Sequence, residues 1–202
     1  MMLQRMTRYS IAAPFSFLVC FLLEPAAASE LSQSVALDGD YAGGFVIGGD
    51  AWTASSGGQE VTLVFSGRDL VDVRQLEVIL EPVPPSAFDL ESAVFRPTEP
   101  LVTLGKGVEV IEGDRLRLGG ASVSESIEGD QEFGTFTLLT SDGFTSGTGA
   151  QLEVTFLSLG PTSDDRDEYD QENLGLGVVV SEDVETAAET STWGRIKAVL
   201  AR

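Results

Sequence analysis

Histidine is absent from the 202 residues, and cysteine occurs once, at Cys20. The first absence removes Ser-His-Asp triads, histidine general bases and histidine metal ligands together. With a single cysteine, tetrahedral zinc sites and internal disulfides go as well. Positive charge is also scarce: 12 Lys+Arg stand against 32 Asp+Glu, a net charge of −20. Such a surface repels phosphate backbones and anionic lipid, so nucleic acid is excluded as a partner. There is no internal repeat of fixed period and no phosphate-cradling loop. Gly105-Lys106-Gly107 lacks the spacing and the hydroxyl residue, and Gly147-Thr148-Gly149 lacks a third glycine.

Long apolar runs are missing too. The one candidate, Ile11 to Leu23, is broken by Pro14 and Ser16 and is shorter than the roughly 20 residues that span a bilayer. Arg5 and Arg8 precede it and Ala26-Ala27-Ala28 follow it, the order of a secretory signal peptide. Residues 1–28 are therefore read as a signal peptide, and the mature chain as exported without a transmembrane anchor. Cys20 lies inside that segment, with Val19 where lipidation wants a small residue. Taking Arg5, Arg8 and Glu24 away leaves 10 basic and 31 acidic side chains, a mature net charge of −21.

The remainder has the size of one domain. Residues 29–44 read as a polar leader, with a short edge strand at Ser34 to Leu37, and 45–180 as the folded unit. Residues 181–191 form a polar linker. In 192–202, Trp193, Ile196 and Leu200 recur on one face of a short basic amphipathic helix. That helix is marginal on its own.

Within the unit the period is two. Val61, Leu63 and Phe65 alternate with Thr62, Val64 and Ser66, and Leu76, Val78 and Leu80 alternate with Glu77, Ile79 and Glu81. Pro82, Pro84 and Pro85 end that strand. Phe88, Leu90, Val94 and Phe95 anchor an extended crossing segment. Glu112-Gly113-Asp114 turns a hairpin between Val108-Val110 and Leu116-Leu118, with Arg115 and Arg117 outward. Glu132 to Gly160 reads as a further hairpin. Phe136 and Leu138 face away from Phe133, Thr135, Thr137 and Leu139 in its first arm, and Leu152, Val154 and Phe156 share a face in its second. Phe144 folds back as a plug in its turn. Leu174, Leu176, Val178 and Val180 make a last strand. Together these predict an all-β antiparallel β-sandwich or jelly roll of about nine strands.

Phe45 to Val180 resembles the cohesin family. FVIGGDAWTASSGGQEVTLVFSG is similar to its opening strand pair, and DRLRLGGAS and FGTFTLLTSDGF…AQLEVTFLSLG to its later strands. Leu80-Glu81-Pro82 stands where the family has a Tyr-Asp-Pro turn. Fibronectin-type and immunoglobulin-type sandwiches share the same strand pattern. The resemblance implies a non-catalytic receptor that binds a dockerin-like module, or another extracellular protein, through one face of the sandwich. The outward residues Glu77, Ile79, Glu81, Arg115 and Arg117 are the partner-binding candidates.

Two other chemistries are open to the same sequence. Polysaccharide binding by stacking would fall to Trp52 and Tyr169, the domain's candidates for an exposed ring. Calcium is the one cofactor with a candidate loop, where Asp164, Asp165, Asp167 and Asp170 supply hard oxygen ligands, although the glycine and terminal glutamate of a hand-type loop are missing. No nucleophile-and-base constellation is visible, so no enzyme is expected.

Overall fold

The structure, a computed structural model, describes residues 31–49, 54, 56–103, 107–145 and 149–180. The expected signal peptide, linker and C-terminal helix, and Trp52, lie outside the described residues. Eleven strands are present: β1 (Leu31–Ala36), β2 (Gly44–Gly49), β3 (Glu60–Val73), β4 (Gln75–Val83), β5 (Phe88–Pro97), β6 (Val108–Ile111), β7 (Arg115–Ala121), β8 (Ile127–Thr140), β9 (Ala150–Thr162), β10 (Asp165–Asp170) and β11 (Gly177–Val180), with one helical turn, α1 (Gln171–Leu174). All recorded pairings are antiparallel. One sheet runs β1-β2-β3-β8-β5; the other runs β10-β9-β4-β7-β6, with β11 beside the first half of β9 and β10 beside its second half.

Two of the strands lie outside the expected folded unit or in a segment read as loop: β1 begins three residues before the edge strand expected at Ser34 to Leu37, and β10 falls in the acidic run. Residues 31–36, inside the expected leader, pair with β2 as an edge strand. The acidic loop forms β10 on β9. An edge position explains both, because it asks a strand to bury only one flank and tolerates charge on the other.

The sandwich interior is built by alternation. From β4 the core takes Leu76, Val78 and Leu80, and from β3 Val61, Leu63 and Phe65. Phe65 is the aromatic hub, with ring centroids 5.8 Å from Phe45, 6.2 Å from Phe95 and 6.5 Å from Phe136. Phe133 joins this cluster, 6.3 Å from Phe45, and is fully buried. Simple alternation would turn it outward. A register shift opposite Phe65-Ser66 resets the pattern, and Gly134, at φ 152°, absorbs it. A Cβ there would stand 2.5 Å from the Arg96 carbonyl oxygen. Only glycine fits.

The stretch Glu132 to Gly160 is not a hairpin. Its first arm lies in β8 of one sheet and its second in β9 of the other, so the nine residues between them carry the chain across the sandwich. Phe144 is buried in that crossing, as a plug. The last strand is shorter than expected. Leu174 belongs to α1 and only Gly177–Val180 pairs with β9, yet Leu174, Leu176, Val178 and Val180 are all buried. β4 also outruns its expected end. Its pairing with β7 stops at Leu80, and Pro82 and Val83 continue on β9 alone, where a missing N–H can face the open side.

Candidate functional site

Because β4 buries Leu76, Val78 and Leu80, it turns Gln75, Glu77, Ile79 and Glu81 to the outer face of the six-stranded sheet, all four half-buried. Register then brings the candidates of three strands together. Ile79 is flanked by Arg117 of β7 and Phe156 of β9; Glu77 is flanked by Gly119 and Ser158; Gln75 is flanked by Ala121 and Gly160. Glu77, Ile79, Glu81, Arg115 and Arg117 thus share one face. Arg115 is turned to its own hairpin, donating from Nε to the Glu112 carbonyl at 3.1 Å.

Across that face runs a row of alternating charge. Arg117 reaches Glu77 at 3.1 Å and Glu109 at 3.3 Å, while Arg166 reaches Glu77 at 3.9 Å and Glu168 at 2.6 Å. Glu77 is the centre of the row. Arg166 gets there because β10 has a register shift at this residue, and because Gly160 lets it fold close. A Cβ on Gly160 would stand 2.6 Å from the Arg166 Cα. Beside the charges lies the apolar pair Ile79-Phe156. Alternation from Leu152 and Val154 put Phe156 in the core, but a register shift between Ile79 and Leu80 leaves Thr155 as the extra residue and turns Phe156 outward, half-buried. Phe156, Glu109, Arg166 and Gln75 were all missed by sequence reasoning. Arg166, the lone cation in an acidic run, was the available signal.

Small residues on the strands flanking β4 open a hollow of about 580 Å³ at the Gln75 end of this face. Its polar wall is Gln75, Glu77, Arg117 and Arg166, and its apolar wall includes Val102 and Val123. Val102 is 59% exposed and Val123 93%. Gln75 Nε2 is buried and has no hydrogen-bond partner among the described residues.

Three of the four calcium candidates, Asp165, Asp167 and Asp170, are engaged with the protein itself. Tyr41 donates its backbone N–H to Asp167 Oδ2 at 3.0 Å and its hydroxyl to Asp165, and the Tyr169 hydroxyl donates to Asp167 at 3.4 Å. Asp170 caps α1, accepting from the backbone N–H groups of Glu172 and Asn173 at 3.1 and 3.3 Å. Asp164 is exposed in the β9–β10 turn. Among the described residues no three acidic side chains converge as a metal would require. These contacts hold both phenols neutral. The Tyr41 hydroxyl is pushed up to about 12 by its hydrogen bond to Asp165, and that of Tyr169 to about 12 by burial and then by the Asp167 charge.

Tyr169 is not the exposed platform that the polysaccharide reading needs. It sits opposite Leu157 with its ring turned into the core, 6% exposed, because β10 has become a strand with an inward flank. No helix among the described residues is long and apolar enough to cross a membrane.

No family model matches the sequence, and no curated protein does. Solved structures to which the chain is similar include cohesin modules. A cohesin module from a Clostridium perfringens family 33 glycoside hydrolase is 16% identical, with 75% of this chain and 95% of that one covered at a TM-score of 0.41. The non-cellulosomal cohesin of the archaeon Archaeoglobus fulgidus is 16% identical, with 64% and 79% covered at 0.38. The seventh ScaB type I cohesin of Pseudobacteroides cellulosolvens is 15% identical, with 57% and 78% covered at 0.37.

Proposed function

We propose that this chain is an exported, non-catalytic binding module that captures a protein partner on the outer face of its six-stranded sheet. One observation carries the reading: Ile79 and Phe156 form a half-exposed apolar pair set in the row Glu109-Arg117-Glu77-Arg166-Glu168. An apolar centre with a charged surround is the anatomy of a protein interface. The charges are already paired, so a partner that covers them leaves none stranded, and their alternation sets register more than affinity. Export is supported by the signal-peptide pattern of residues 1–28.

The resemblance of the sequence to cohesins names the partner class to try first, a dockerin module with its calcium loops. The experiment is a titration of the full chain with a panel of purified dockerin modules in calcium, read by calorimetry. Binding that disappears in Ile79→Asp and survives in Val64→Asp, on the opposite sheet, supports the reading. Binding lost only in the second variant, or equal in both, overturns it.

A further inference from the structure

The hollow at the Gln75 end of the docking face has a chemistry of its own. It exists because the strands on either side of β4 present no bulk there: Ala121 and Gly160 flank Gln75, and Gly119 and Ser158 flank Glu77. One row further along, Arg117 and Phe156 close the sheet surface again. The hollow therefore ends at the docking patch.

Its charges cancel. Arg117 and Arg166 balance Glu77 and Glu109 within the lining, each arginine already paired to a glutamate. A charged guest would have to break those pairs, so a neutral one is favoured. What the wall leaves unmet is a donor. Gln75 Nε2 is buried without a hydrogen-bond partner among the described residues, and rotation of the side chain, which lines the hollow, presents it there. A buried donor left unpaired is a standing cost that an incoming acceptor removes. Two residues along the same face of β4, the Glu77 carboxylate oxygens can accept. The exposed valines Val102 and Val123 offer aliphatic contact at the rim.

Resting on the docking reading above, we infer that this hollow is a side-chain pocket for a neutral amide, an asparagine or glutamine of the partner polypeptide. The guest carbonyl accepts from Gln75 Nε2, its NH₂ donates to Glu77, and its methylene stem lies on the valines. A primary amide carries its acceptor and its donor on two separate atoms, so it can meet Gln75 and Glu77 at once, where a hydroxyl must serve both from a single oxygen.

The test uses the isotope-labelled full chain and three probes of one backbone: the N-acetyl, N-methylamide derivatives of glutamine, leucine and glutamate. Proton–nitrogen NMR follows the Gln75 side-chain NH₂, assigned by its disappearance in Gln75→Leu, and the Gly119 amide. The expected result is movement of both signals with the glutamine probe, less than half as much with the other two, and loss of the Gly119 response in Gln75→Leu and in Ala121→Trp, which fills the hollow from an exposed position. Equal movement with all three probes, or none, overturns the assignment. Gln75→Leu should also raise Tm, since it removes the unpaired donor. A bound dockerin module should hold that variant about ten-fold more weakly, the worth of one neutral hydrogen bond. The probes are read on the free chain, so failure of the pocket and failure of the docking face are separate results: Ile79→Asp decides the second alone.

Discussion

Reversing Arg117 to glutamate tests whether the charge row is an electrostatic feature or only packing. In the native chain Arg117 contacts Glu77 at 3.1 Å and Glu109 at 3.3 Å, with its side chain 47% exposed. Exposed pairs of this kind contribute about 0.5 kcal/mol each, so losing two costs about 1 kcal/mol. Placing a third carboxylate between Glu77 and Glu109 adds repulsions of similar size, for a total of about 2 kcal/mol at low ionic strength. At about 2–4 °C per kcal/mol for a domain of this size, Tm should fall by roughly 4–8 °C. Salt separates the causes, because at about 1 M the screening length shrinks to about 3 Å and most of the loss should return. The assay is thermal unfolding followed by fluorescence at both ionic strengths, with Arg117→Met as the uncharged control at about half the cost. A drop of equal size in low and high salt would show that Arg117 acts through its stem, and would refute the electrostatic account.

Other outcomes follow from the same geometry. Gly134→Ala should destabilise by about 3 kcal/mol or more in urea unfolding, since it adds a side chain at a φ essentially reserved for glycine and drives it into the Arg96 carbonyl; a change under about 1 kcal/mol would mean the β8 irregularity is not fixed by that contact. Tyr41 and Tyr169 both ionise near 12 in the fold against 10 in the unfolded chain. The unfolded state therefore gives up these protons first, so stability is full below pH 10 and declines between about 10 and 12. Tyrosinate absorbance in parallel with urea midpoints checks this, and Asp165→Asn should bring the Tyr41 titration down. A phenol titrating at the ordinary value in the folded protein would contradict the Tyr41-Asp165 clasp.

Much of the six-stranded sheet's face was legible because β4 keeps strict alternation: Glu77, Ile79 and Glu81 fall outward by period alone, and Glu112-Gly113-Asp114 fixes which side Arg115 and Arg117 take. What alternation cannot carry is a register shift. The extra residue Thr155 moves Phe156 from core to surface, and in β8 the extra residue is Phe133 itself, which goes from surface to core, with nothing in the local composition to mark either. Strand partners are equally silent. Glu132 to Gly160 has the sequence of a hairpin, but its two arms are buried against opposite sheets, a fact held in β3 and β4 rather than in the stretch itself. Arg166 and Tyr169 were hidden for another reason. Acidic residues are poor strand formers, so DRDEYD reads as loop, and only its pairing with β9 turns Tyr169 inward and lays Arg166 over Glu77.

The most direct measurement compares one substitution on two faces. Ile79 and Val64 are both half-buried, outward and aliphatic, one on each sheet, and aspartate at either should cost the fold little more than about 1 kcal/mol. Capture of a bound partner should be lost in Ile79→Asp, by about 30-fold or more if the pair with Phe156 is the centre of the interface, and kept in Val64→Asp. Capture that survives Ile79→Asp and fails with Val64→Asp would put the partner on the other sheet and contradict docking at the charge row.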